Sequence, residues 1–230
     1  MPETEANPIH EEQNLKISII NSAALPFLFI LLLWIIKLLE IFSGESFSDF
    51  GIIPRTITGL KGILTSVFIH GDINHLLSNT FPFFILLTGL MFFYRSVALK
   101  VFILIWLMSG FWVWLFARYS SHIGASGVIY GMAAFLFLSG VLKKNRNLLA
   151  ISMLTVFLYG GLAWGIFPVE ERISWEAHLS GALAGFLCAV AFRKEGPVTE
   201  EKIWEDEDDD DPNAEWEITS VNSSNTGEVN

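Results

Sequence analysis

Apolar residues along this chain fall in long runs, each bounded by glycine, polar or charged positions. A helix needs about 20 mostly apolar residues to cross a bilayer. Six stretches are of roughly that length, 17–42, 75–94, 98–117, 126–142, 147–167 and 177–193, the fourth and sixth being short. The pattern predicts an all-α polytopic membrane protein with six transmembrane helices. The first stretch is too long for a cleaved signal peptide, and its flank carries Glu3, Glu5, Glu11 and Glu12 against Lys16 alone. It is expected to remain as a helix, bent at Pro26.

Composition agrees and adds a second part to the molecule. Of 230 residues, 52% are hydrophobic and 17% charged, against about 25% charged in soluble domains. The net charge of −10 is unevenly spread: residues 195–230 hold 13 of the 24 acids and one base, Lys202, so the tail carries −12 and the rest +2. The chain divides into a cytoplasmic N-terminal segment (1–16), a membrane domain (17–194) and an acidic tail (195–230). The tail has too little apolar surface to offset the entropy of ordering and is expected to be disordered. Trp204 and Trp216 are its only large aromatic features. An acidic chain without a basic patch argues against nucleic-acid binding. A lone Cys188 excludes both a disulfide framework and a cysteine-based zinc site.

The loops set the orientation. Arg95 and Lys100, then Lys143, Lys144 and Arg146, then Arg193 and Lys194 mark one side, which the positive-inside rule makes cytoplasmic. Both termini then lie in the cytoplasm, and the loops 43–74, 118–125 and 168–176 lie outside. The short body favours a bacterial plasma membrane.

Polar residues inside spans are costly and point to function. His75 and Asn79 are four apart at the outer start of the second span, and so share a helix face. Ser126 and Tyr130 have the same spacing at the outer start of the fourth, within Gly124-Ala125-Ser126-Gly127 and onward to Gly131. Ala177-His178, followed by Gly181 and Gly185, opens the sixth. All three groups lie at similar shallow depth near the same face. A serine hydroxyl needs a base within hydrogen-bond reach, which His178 can supply. Gly124 and Gly127 leave room for a substrate backbone, and His75 and Asn79 are donors of the kind an oxyanion hole uses. Gly131, Gly181 and Gly185 allow close helix packing. No span carries a mid-membrane Asp or Glu, which excludes aspartyl protease chemistry and a carboxylate third member of a triad.

Taken together, His70-Gly71-Asp72-Ile73-Asn74-His75 with Asn79, the GASG at 124–127 with Tyr130, and Ala177-His178 with Gly181 and Gly185 resemble the rhomboid intramembrane serine proteases in their six-helix bacterial form. The resemblance covers roughly residues 15–193. It implies a Ser126–His178 catalytic dyad. It further implies an oxyanion site of His75, Asn79 and the Ser126 N–H, with Tyr130 packed on His178 and His70 bracing the first outer loop. It also implies transmembrane protein substrates and no cofactor. The sequence departs from the family where a Trp-Arg pair often stands, about nine residues before the first histidine; Lys61-Gly62 occupies that place, which bears on how the first outer loop is anchored.

Two other readings stand beside this one. A metal centre of His70, His75 and His178 lacks the His-Glu-x-x-His spacing that supplies a metal-bound water with its base. A non-catalytic protein that binds and escorts membrane proteins would ordinarily lack the serine or the histidine, and both are present. His10, His122 and Cys188 carry no role in this reading.

Overall fold

The computed structural model describes residues 8–158, 165–167 and 173–197. Among these, six main helices follow the apolar stretches: α1 (Pro8–Ser43), α2 (Ile73–Phe93), α3 (Ala98–Phe116), α4 (Ser126–Leu142), α5 (Arg146–Leu158) and α6 (Trp175–Ala191). Residues Leu15–Ser43 of α1, together with α2 and α3, are long and apolar enough to cross a membrane. Helices α4 and α6, 17 residues each, reach about 25 Å at 1.5 Å per residue. The protein is a helical membrane bundle. Most of the fifth predicted span beyond Leu158, residues 1–7 and the tail from residue 198 lie outside the described residues.

The helix starts show where backbone chemistry extends an apolar run. Helix α1 begins well before residue 17, because a span ends with its apolar residues whereas a helix continues as long as its backbone groups pair. Asp72, in extended conformation, caps α2 by accepting the His75 N–H on its carboxylate at 2.8 Å. Ser174 caps α6 by accepting the Ala177 N–H. Both helices therefore start two residues ahead of the predicted spans.

Helix α4 is packed against α2, α3, α5 and α6, and it is apolar on all sides, as a surrounded helix must be. Its Met132 and Phe135 join Phe83, Leu86, Leu90 and Ile105 of the neighbouring helices in the core. Helix α1 instead exposes Ile20, Phe27, Leu28, Leu39 and Phe42, an apolar surface of the kind a bilayer covers.

The closest packing joins α4 to α6. A methyl group added at Gly181 would collide with the Gly127 carbonyl, and one at Gly185 with the Gly131 carbonyl. Two pairs of glycines four apart thus bring backbone against backbone, the small-residue mode of helix association in membranes.

The segment between α1 and α2 is a chain of short helical turns held to α3. The Arg55 guanidinium donates to the carbonyls of Leu115 and Ala117. The indoles of Trp106 and Trp114 donate to the carbonyls of Ile63 and Thr56, at 2.9 and 2.8 Å. The Lys61 ammonium lies 4.8 Å from the centre of the Phe50 ring, and Gly62 fits against the Gly51 backbone too closely for any side chain. These contacts anchor the loop in the absence of the Trp-Arg pair.

Candidate active site

The Ser126–His178 pair sits where the glycine contact is tightest. Ser126 is the first residue of α4 and His178 lies in the first turn of α6. Ser126 Oγ stands 2.8 Å from His178 Nε2. On the other side of the ring, His178 Nδ1 is 2.8 Å from the Gly165 carbonyl oxygen. A carbonyl only accepts, so Nδ1 carries the proton and Nε2 presents its lone pair to the serine O–H. This is the tautomer a general base needs, held by backbone instead of by a carboxylate. The Tyr130 ring stacks on the imidazole at 4.1 Å between centroids with 9° between planes, which restricts its tilt.

Opposite this pair lies a second group, carried by the start of α2. A methyl group built on Gly124 would stand 2.8 Å from His75 Nε2 and 3.7 Å from Asn79 Nδ2. Both nitrogens therefore converge on the backbone two residues before Ser126. Gly124 has φ +106°, a conformation open to glycine at little strain. Asn79 is buried, yet its Nδ2 has no hydrogen-bond partner. Buried donors are paired in the great majority of cases, and an exception calls for an explanation.

His70 supports this group from behind. Its ring meets that of His75 at 5.0 Å, edge to face, and its Nε2 accepts the Ala125 N–H at 3.4 Å. Burial, followed by the positive potentials of His75 and Lys37, holds its imidazole down to about 3, so it is neutral and able to accept.

Three contributors escaped the sequence reading. Lys37, a lone cation in the first span, is buried and donates to the carbonyls of His70 and Gly71 at 2.9 and 3.1 Å and to Glu40 at 2.7 Å. The rarity of a lysine among apolar residues was the signal that could have found it. The Gly165 carbonyl is a backbone group and has no sequence signal. His122, given no role above, is buried and bonded through both ring nitrogens. The histidines do not assemble as a metal centre: both His178 nitrogens are engaged. Among the described residues no three His, Cys, Asp or Glu side chains are grouped to hold an ion.

The rhomboid domain family model matches residues 58–195, a segment that carries His70, His75, Asn79, Ser126, Tyr130 and His178. The chain belongs to the rhomboid family. Several other proteins are similar to it in sequence. An uncharacterized protein of Mycobacterium tuberculosis is 34% identical over 175 residues, covering 70% of this chain and 71% of the relative. One of Mycobacterium leprae is 33% identical over 175 residues, covering 70% and 67%. A protein of Acanthamoeba polyphaga mimivirus, provisionally named as a rhomboid protein, is 31% identical over 151 residues, covering 60% and 78%.

Proposed function

We propose that this rhomboid protein is an intramembrane serine endopeptidase that cleaves transmembrane segments of other membrane proteins from the outer side of a bacterial plasma membrane. The observation that carries the reading is the 2.8 Å contact of Ser126 Oγ with His178 Nε2, whose other nitrogen is committed to Gly165.

In this mechanism His178 Nε2 takes the proton as Ser126 Oγ adds to the scissile carbonyl. The negative charge that develops on the carbonyl oxygen is met by His75, the unpaired Asn79 amide and the Ser126 backbone N–H. The C–N bond then breaks, and His178 returns the proton to the departing amine. A water, giving its proton to His178, attacks the resulting ester; the bond to Ser126 Oγ breaks and His178 passes that proton to the serine oxygen. Glycines 124 and 127 keep side chains off the path of the substrate backbone, and Gly181 and Gly185 hold α6 against α4. The acidic tail belongs, in this orientation, to the cytoplasmic side.

A fluorophosphonate should label the purified protein, and Ser126→Ala should abolish the label. Wild type should cut a model transmembrane substrate, whereas His178→Ala should not. Labelling that survives Ser126→Ala would remove the nucleophile assignment. An unlabelled wild type that cuts no member of a varied substrate panel would favour the escort reading, and chelator-sensitive cleavage the metal one.

A further inference from the structure

We propose that His122 is a positioning residue for the Ser126–His178 pair, clasping the loop that delivers the serine to the cap of the helix that delivers the base. The inference rests on the serine protease reading above and adds to it a residue that takes no part in the proton transfers.

His122 lies four residues before Ser126, and Ser174 four residues before His178. The imidazole joins the two: Nδ1 is 2.6 Å from Ser174 Oγ and Nε2 is 2.9 Å from the Arg118 carbonyl oxygen. Since the carbonyl only accepts, Nε2 is the protonated nitrogen and Nδ1 accepts the Ser174 O–H. Ser174 remains free to accept the Ala177 N–H with its lone pairs and so to cap α6. The backbone of the same histidine forms the Ile52–His122 bridge, with both N–H···O contacts at 2.9 Å. One residue, 3% exposed, therefore meets the first outer loop, the serine loop and the base helix.

The neighbouring connection is of a different kind. Arg118 donates to the Ile173 carbonyl at 2.7 Å and stands 3.6 Å from Glu176, but its side chain is 39% exposed. Water competes for such a pair, and its contribution is small. The buried imidazole has no such competitor. Displacing a reacting group by about 1 Å can cost about 100-fold in rate, so slack in this clasp should appear in the chemical step.

The test compares wild type, His122→Ala, His122→Gln, Ser174→Gly and the double variant His122→Ala/Ser174→Gly as full chains in detergent. Prolonged fluorophosphonate labelling counts the folded sites, and kcat and KM are then taken per labelled site. His122→Ala is expected to lower kcat and the labelling rate constant by about 10- to 100-fold with KM within about twofold. His122→Gln, whose amide can donate to Arg118 and accept from Ser174, should recover most of the loss. Ser174→Gly leaves the imidazole in place and glycine is a tolerated cap; it should show a similar loss, and the double variant little more than either. If His122→Ala does not fold, Ser174→Gly and His122→Gln carry the same comparison. A kcat per labelled site within twofold of wild type in the variants that fold, whatever their thermal stability, would overturn the positioning role. Failure of wild type to be labelled or to cleave would instead reject the protease reading itself, before any variant is compared.

Discussion

Asn79 makes the residue-scale case for chemistry over packing. A donor buried without an acceptor costs about 1–3 kcal/mol, and the Asn79 amide is such a donor. Asn79→Ala removes that penalty together with the proposed oxyanion donor. The expected outcome is a fall in kcat of about 100- to 1000-fold, with a thermal midpoint in detergent equal to or above that of wild type. A parallel loss of stability would mean that Asn79 is structural. The residues of this site were legible because spacings of four project side chains from one helix face, as with His75 and Asn79 or Ser126 and Tyr130. Gly165 was not, since its contribution is a carbonyl that every residue has. His122 was passed over because a single histidine in a loop shows no partner until the fold brings Ser174 to it.

At the scale of elements, the distance between Ser126 and His178 is set by how closely α4 and α6 approach. The Gly181 position faces the Gly127 carbonyl, a rigid backbone atom that cannot move aside as a side-chain end can. Gly181→Ala should therefore push the helices apart one turn from His178. Overpacking of this kind destabilises by about 1–3 kcal/mol, read as a lower denaturation midpoint, and phosphonate labelling of Ser126 should slow by at least tenfold. Full labelling at the wild-type rate would show that the contact can relax without moving the pair. The apolar runs indicated the helices and their order. They could not indicate their first residues, because Asp72 and Ser174 begin α2 and α6 through polar caps that lie outside any apolar pattern. Nor could the Lys61-Gly62 pair reveal how the first loop is held, since Arg55, Trp106 and Trp114 attach it to α3 across more than forty positions of sequence.

For the whole molecule, two kinds of charge act separately. The buried His70 is held down to about 3 and His122 is also lowered, in each case chiefly by burial. An unfolded histidine titrates near 6.5, so between that value and the folded one the unfolded chain binds more protons. Stability is therefore full above about pH 6.5 and declines as pH falls toward 3, by at most about 1.4 kcal/mol per pH unit for each such group. His70→Gln should flatten the acid slope of the denaturation midpoint; an unchanged slope would mean that other groups govern it. The net −12 of residues 195–230 has no part in this balance if the tail is a separate unit. The described chain continues to Pro197, whose carbonyl accepts from Lys143, while Gly196 closes against the Tyr94 ring. The place to cut is thus after Pro197. Removing residues 198–230 should leave cleavage of a transmembrane substrate in detergent within about twofold of wild type, because the described residues already hold the Ser126–His178 pair through Gly165 and Tyr130. Removing residues 195–230 should also leave the chemistry but lower the stability by about 1 kcal/mol, read as a lower denaturation midpoint, through loss of the Lys143 bond and the cover over Tyr94. Loss of cleavage on the shorter deletion would show that the tail acts on the membrane domain.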